Sequence, residues 1–359
     1  MPHSFVLVGG GTGGHIYPVL AVGNVLRERG HKLLFIGTPQ GMEARIIPEA
    51  GHEMFFVRSG GLNRVGFEQR LKTAAVLPMA VLASAKILRR FAPRAVFSMG
   101  GYVAGPVTMA AILERIPLIV MEPNAVPGAA NRWISRGVTK ALLGFQETAR
   151  FFPKGRTETT GLPVRAEFFR VERKREGAFT VLITGGSRGA RTLNRAARES
   201  WPLFRESGVP VRIVHQTGSA EHAALASEFA ETGLAGEVVP FLHDMPGAFA
   251  QADLVVARGG ASTIGELAAA GMASVIVPFP FAADDHQRRN AEAVEQAGGA
   301  RVILDADLNG RKLFEVVEEL RAKPEALGRM RERVRQFAHP GAAERAADVL
   351  EEAAERKRS

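Results

Sequence analysis

Phe5-Val6-Leu7-Val8-Gly9-Gly10-Gly11-Thr12-Gly13-Gly14-His15 opens the chain with a short β-type run that empties into glycine. The residues that follow are spaced for a helix to about Arg29, with Val19, Leu20, Val22, Val25 and Leu26 on one face. Gly30 stops it, and Lys32–Ile36 reads as the next strand, which makes a βαβ unit. Ala95–Ser98 then enters Gly100-Gly101-Tyr102-Val103-Ala104-Gly105-Pro106, a helix, and the strand Leu118–Met121. The pattern restarts at Phe179. Thr180–Thr184 runs into Gly185-Gly186-Ser187-Arg188-Gly189-Ala190-Arg191 and a helix. Further strands are expected at Val211–His215, Glu237–Phe241, Leu254–Ala257, Ser274–Val277 and Arg301–Leu304. The fold class is therefore α/β, with two Rossmann-like doubly wound halves. Phe151–Gly177, rich in Pro, Gly and charge, reads as the join, which puts the domains at 1–162 and 163–338. A charged, Ala-rich helix over 342–357 has no partner nearby and is expected to pack back on the first half.

Length agrees, since 359 residues suit two domains better than one. With 46% hydrophobic and 23% charged residues, disorder and fibre are excluded. The absence of cysteine removes disulfides, thiolate metal sites and cysteine nucleophiles. A formal net charge of +9 calls for an anionic partner: nucleic acid, anionic lipid or a phosphorylated small molecule. The apolar run before Gly9 is too short for a secretory signal. The uncharged stretch Thr73–Ala85 is too short to span a bilayer, and Pro78 interrupts it. The expectation is a cytoplasmic chain, with contact to a membrane surface left open.

A glycine-rich turn between strand and helix lets backbone N–H groups approach phosphate oxygens at the positive end of a helix. Each such loop is equally well a tight turn needing positive φ. Four in one chain, at 9–14, 100–105, 185–189 and 259–260, point to an anion. A dinucleotide fold would end its second strand in an acid, whereas these end Phe35-Ile36-Gly37-Thr38 and Val214-His215-Gln216. No phosphate-loop NTPase motif occurs.

In Ala257-Arg258-Gly259-Gly260-Ala261-Ser262-Thr263-Ile264-Gly265-Glu266 a strand ends in a glycine pair and small polar residues open a helix. Thr263 and Glu266 have capping-box spacing. Equally, the amides could meet a diphosphate and Glu266 a ribose diol, since a carboxylate accepts from two adjacent hydroxyls. After the next strand, Pro278–Asn290 is a polar loop in which Gln287 could meet sugar hydroxyls or simply begin a helix.

These pieces together resemble the MurG family of glycosyltransferases. The resemblance rests on Gly10–His15, Ser98–Pro106, Glu122-x-Asn124, Pro163-Val164-Arg165, Gly185-Gly186-Ser187-x-Gly189-Ala190 and Gly259–Gly271, in order and spacing over essentially the whole chain. It implies the GT-B fold, two Rossmann-like domains facing across a cleft that holds the active site. It also implies an inverting enzyme with no cofactor and no metal in the site. The reaction would move N-acetylglucosamine from UDP-GlcNAc to the C4 hydroxyl of the muramyl sugar of lipid I, giving lipid II for peptidoglycan. Carried over by motif, Thr12, Gly13 and Gly14 would line the donor cleft and Asn124 would meet the sugar. Arg165 and Ser187 would face the diphosphate, and Leu242 would present its backbone to uracil. Ala261, Ser262, Thr263, Ile264, Gly265 and Glu266 would hold phosphate and ribose, and Gln287 the sugar. The chain departs from the family pattern at Met121, Arg188 and His286; the first puts in doubt a catalytic role at that position.

Inverting transfer needs a base for the acceptor hydroxyl and stabilisation of the leaving diphosphate. His15, directly after a glycine loop, is the candidate base or acceptor-positioning group, unless it only caps or packs; Glu122 is the rival base. Asp305-Ala306-Asp307 reads as a surface turn. From Arg58 to Arg94 there are eight basic residues and one acid, interleaved with apolar positions. That suits either an anchor on the anionic inner-membrane surface or a core helix with a solvated face. Other UDP-sugar enzymes of the same fold, a UDP-GlcNAc 2-epimerase or a glycolipid synthase, share the donor half. A basic nucleic-acid-binding protein should interleave aromatics with its charge, but Trp and Tyr number two each. No nucleic-acid partner is expected.

Overall fold

A computed structural model describes residues 2–11, 13–57, 67–101, 103–173 and 177–356. Thr12 lies outside the described residues, as do Arg58 and Arg64 of the basic segment. The chain divides into two compact units, one made of Met1–Arg165 with His339–Ser359, the other of Ala166–Ala338. The division falls at 165/166, where the sequence reading put it at 162/163.

The first unit holds a seven-stranded sheet of β1 (Ser4–Val8), β2 (Lys32–Gly37), β3 (Met54–Phe56), β4 (Ala95–Ser98), β5 (Leu118–Glu122), β6 (Lys140–Leu143) and β7 (Thr157–Thr159). Their order is β3-β2-β1-β4-β5-β6-β7, and every pairing is parallel. The second unit holds β8 (Phe179–Thr184), β9 (Val211–Gln216), β10 (Ala235–Val239), β11 (Leu254–Ala257), β12 (Ser274–Ile276) and β13 (Arg301–Val302). Their order is β10-β9-β8-β11-β12-β13, again all parallel. A parallel sheet covered by helices on both faces needs unbroken apolar strands, and Phe5–Val8 and Val181–Ile183 are buried accordingly. In each unit the strand order reverses beside the first strand, between β1 and β4 and between β8 and β11. Open sheets of this kind bind ligands in the crevice at such a reversal.

Three elements differ from the sequence reading. The helix Phe67–Phe91 runs through Pro78 instead of breaking there. Its later turns bury Ala80, Ala85 and Leu88, and that packing carries it past the one hydrogen bond that proline removes. β7 lies inside what the sequence reads as a join. It is a short edge strand, with no apolar run to announce it. β10 starts and ends two residues earlier than expected, because Pro240 lacks the N–H that would continue the ladder.

The C-terminal helix Ala342–Arg356 belongs to the first unit and packs on the helix Gly13–Glu28. Arg29 Nη1 donates to Asp348 at 2.7 Å and Glu351 at 2.8 Å, and Arg345 Nε donates to Glu158 at 2.6 Å. His31 Nδ1 accepts the His3 amide at 3.0 Å. Its proton is therefore on Nε2, which donates to Glu351 at 2.6 Å.

Candidate active site

In the first unit the loops after β1 and β4 meet. Gly101 has φ +87, and a Cβ there would sit 2.6 Å from the Gly10 carbonyl, so only glycine permits the approach. His15 is half-buried in the first turn of the helix that begins at Gly13. A Cβ on Gly9 would sit 2.8 Å from the His15 carbonyl, so Gly9 lets that turn close on the strand end. Arg165 stacks its guanidinium over the ring of Tyr17, 5.4 Å from the centroid, two residues further along this helix.

Sequence reasoning missed Glu43, which organises this face. It is 1% exposed. Its carboxylate accepts from the Gly11 amide at 2.9 Å, the Thr38 amide at 3.0 Å and Thr38 Oγ1 at 2.8 Å. Gly10, Gly37 and Gly41 pack directly against it. Burial pushes the carboxyl up, but the hydrogen bonds from Gly11 and Thr38 outweigh that and hold it below its ordinary value. The signal was in the sequence: a glycine turn after a strand, Thr38-Pro39-Gln40-Gly41, and an acid at the start of the next helix. What the sequence lacked was the 32-residue link back to Gly11.

Glu122 does not fit the base expected of it. It is 1% exposed at the end of β5. One carboxylate oxygen accepts from the amide and the Nδ2 of Asn124, both at 3.0 Å. The other accepts from the Gly128 amide at 3.1 Å and Asn131 Nδ2 at 2.9 Å. Burial pushes its pKa up to about 7, while those donors pull the other way and favour the charged form. Four N–H groups saturate the two oxygens, so Glu122 shapes the 123–131 loop and is not placed to take a substrate proton. Asn124 is half-buried, with one Nδ2 hydrogen committed to Glu122. Met121, where the chain departs from the family pattern, is fully buried in the sheet.

In the second unit the candidate residues gather at the C-terminal edge of one sheet. Ser187 and Arg188 are exposed in the loop after β8. Gly189, at φ +72, packs so closely on the Thr217 carbonyl that no Cβ would fit. Past β11, the helix Ala261–Ala270 has Gly260 as its N-cap, with no side-chain cap. The capping box expected of Thr263 and Glu266 is thus not formed: Thr263 is the third helical residue and Glu266 the sixth. The glycine pair lets the helix begin earlier than a threonine cap would. The first bond of the helix is Ile264 N–H to the Gly260 carbonyl at 3.0 Å, so the amides of Ala261, Ser262 and Thr263 stand outside its ladder, at the positive end. Ile264 is buried; Ala261, Ser262, Thr263, Gly265 and Glu266 are half-buried.

Arg258, just ahead of the glycine pair, is neutralised by Asp305, whose other oxygen accepts from Thr192 Oγ1 at 3.0 Å. Asp305–Asp307 is a short helical turn held this way. Among the described residues no cluster suited to a metal ion occurs. Gln287 Oε1 accepts the Phe279 amide at 3.0 Å, which folds the 278–287 loop. Asp284 and Asp285 stand at φ +52 and +54 within it, two successive left-handed residues of the kind that store strain at functional sites. Leu242 is half-buried, and its amide already donates to Gln216 Oε1 at 2.7 Å, which leaves its carbonyl as the edge it can present.

The sequence matches the glycosyltransferase family 28 N-terminal domain over residues 5–143 and the family 28 C-terminal domain over residues 180–346. It is 58% identical over 352 residues to a UDP-N-acetylglucosamine–N-acetylmuramyl-(pentapeptide) pyrophosphoryl-undecaprenol N-acetylglucosamine transferase of Solibacter usitatus, covering 98% of this chain and 96% of that one. The chain belongs to the MurG family of glycosyltransferases. A second relative of the same name, from Halorhodospira halophila, is 44% identical over 97% of this chain and 98% of its own. The crystal structure of Acinetobacter baumannii MurG superposes with a TM-score of 0.80 at 30% identity, covering 98% of this chain and all of that one. The fold is GT-B, with two Rossmann-like units.

Proposed function

We propose that this protein transfers N-acetylglucosamine from UDP-GlcNAc to the muramyl C4 hydroxyl of lipid I, yielding lipid II. The observation that carries this reading is the full-length likeness, at 58% identity, to a transferase of that name. The acceptor oxygen attacks the anomeric carbon, the bond from that carbon to the diphosphate breaks, and UDP leaves. His15 accepts the acceptor proton, and Thr12, Gly13, Gly14 and Asn124 serve the sugar. The second unit binds the donor. The amides of Ala261, Ser262 and Thr263, at the positive end of their helix, take the growing diphosphate charge. Ser187 and Arg188 assist there, Glu266 accepts from the ribose hydroxyls, Leu242 faces uracil and Gln287 the sugar. An epimerase, a glycolipid synthase and a nucleic-acid-binding protein are the weaker readings, given this likeness over both units.

The first unit is the acceptor and membrane side, peripheral on the cytoplasmic face of the inner membrane. Among the described residues no helix is long and apolar enough to cross a membrane. Met79 is 71% exposed, Leu82 70%, Leu113 69% and Trp133 84%, a concentration of bare apolar surface that supports an interfacial anchor. They lie on three successive helices that pack in sequence, with Lys86, Arg90, Arg132 and Arg136 exposed beside them. The sequence reading named 58–94 alone; Leu113 and Trp133 are exposed apolar residues outside that segment. Leu82→Ser with Trp133→Ser should release the protein from anionic vesicles at low salt; unchanged cosedimentation would remove the anchor.

Thermal-shift titration with UDP, UDP-GlcNAc, NADH and an RNA oligomer tests the activity class. Stabilisation by the uridine nucleotides alone, lost in Glu266→Ala, is expected; stabilisation by NADH alone overturns it. His15→Ala should lower kcat by roughly 10²- to 10⁴-fold with UDP binding intact.

A further inference from the structure

Gln216 ends β9 at 1% exposure, and its carboxamide spends every strong group it has on the two loops beside it. Nε2 donates to the Gly186 carbonyl at 2.8 Å and to Thr184 Oγ1 at 3.1 Å. Thr184 Oγ1 in turn accepts the Gly186 amide at 3.2 Å, so the glycine turn is held by both its N–H and its C=O. On the other side, Oε1 accepts the Leu242 amide at 2.7 Å. A single buried side chain therefore ties the loop after β8, which carries Ser187 and Arg188, to the loop after β10, which carries Leu242.

We propose that Gln216 is a positioning residue for the donor: it sets the distance between the loop that meets the diphosphate and the loop that meets the nucleobase. This rests on the reading of the second unit as the UDP-GlcNAc site. The geometry explains the choice of residue. A glutamate in its place would keep the acceptor for Leu242 but would turn a carboxylate oxygen toward the Gly186 carbonyl, acceptor against acceptor. A methionine would fill the space and make none of these three bonds with comparable strength. The residue is buried, so it acts through the loops and not on the ligand. Fixing two loops in advance lowers the ordering that a nucleotide must bring about when it binds.

The test uses the full chain and UDP itself. Gln216→Glu and Gln216→Met should weaken UDP binding, measured by calorimetry, by about tenfold. The KM for UDP-GlcNAc should rise in parallel, with kcat at saturating donor within about twofold. Thr184 supplies an independent arm should either variant fail to fold. Thr184→Val removes the hydroxyl that Gln216 and Gly186 share and should weaken UDP binding, whereas Thr184→Ser keeps it and should bind as the parent does. Folded variants that bind UDP unchanged overturn the proposal, as does a fall in melting temperature and kcat with no change in UDP affinity or donor KM. A parent protein that does not bind UDP overturns instead the reading on which the proposal rests.

Discussion

The two glycine openings look alike in sequence and are braced in opposite ways. After β1, the amide of Gly11 meets the carboxylate of Glu43. After β8, the carbonyl of Gly186 meets the carboxamide of Gln216. The first loop thus carries an anion of the protein's own, buried and hydrogen-bonded, and the second is held by a neutral group. Like charges at close range in a poorly solvated setting repel strongly. A second anion is accordingly disfavoured at Gly11, whereas nothing in the bracing of Gly186 opposes one. The first loop is therefore suited to hold the helix that starts at Gly13 and carries His15, and the neutral bracing of the second leaves it open to the diphosphate proposed for it. The lesson is that a glycine loop reports a close backbone approach, and the charge of the group approaching decides what the loop can bind.

Removing the carboxylate is the severest way to break this comparison. Glu43→Ala leaves buried donors from Gly11 and Thr38 without their acceptor and opens a cavity, at a cost of about 4 kcal/mol. Calorimetry should show it as a drop of several degrees in melting temperature, and hydrogen exchange as lost protection at Gly11 and Thr38, while UDP affinity holds. Unchanged exchange at those two amides would end the argument about the first loop.

Acid sharpens the contrast. Burial lowers the pKa of His215, in the second unit, to about 4, and its Nε2 donates to Asn194 Oδ1 at 3.1 Å. Its folded value lies below its unfolded one, so the stability it contributes is present above the ordinary imidazole range. It is lost as pH falls from about 6.5 toward 4, by on the order of 3 kcal/mol. His215→Leu should lessen that loss, leaving the part owed to His52 in the first unit, which burial also lowers to about 4. Glu43 has a lowered carboxyl pKa, so its contribution persists above the ordinary carboxylate range and is lost only as pH falls further, through its folded value. Glu43→Gln should remove this more acidic limb, leaving the His215 limb in place.

Glycine substitutions give smaller effects. Gly189→Ala drives a Cβ into the Thr217 carbonyl at positive φ, so the loop backbone must shift; it should cost about 3 kcal/mol and weaken UDP binding. Gly186→Ala meets nothing within 4 Å, so only the positive φ opposes it, at roughly 1 kcal/mol. Equal costs in a denaturant titration would mean that the contact with Thr217 contributes nothing.

The strand-to-glycine steps at Phe5–Gly14 and Thr180–Gly189 were legible because apolar runs and positive-φ glycines are local properties, and they were enough to establish two doubly wound units. The start of the helix at Ala261 was misread, because a threonine with a glutamate three residues later has capping-box spacing whether or not the helix begins there. Glu122 was misread as a base because its residue type suits one. Only the 123–131 loop folding over it shows that its oxygens are already taken. Glu43 and Gln216 escaped notice for one reason. Each acts on backbone atoms about 30 residues away, and parallel β–α–β crossovers are what bring such distant segments side by side. Residue order alone determined the architecture and the family, since periodicity and motif spacing are written along the chain. Which glycine loop is braced by a charge, and which by a neutral group, was decided by tertiary structure. Hydrogen bonds between distant segments have no counterpart in local sequence.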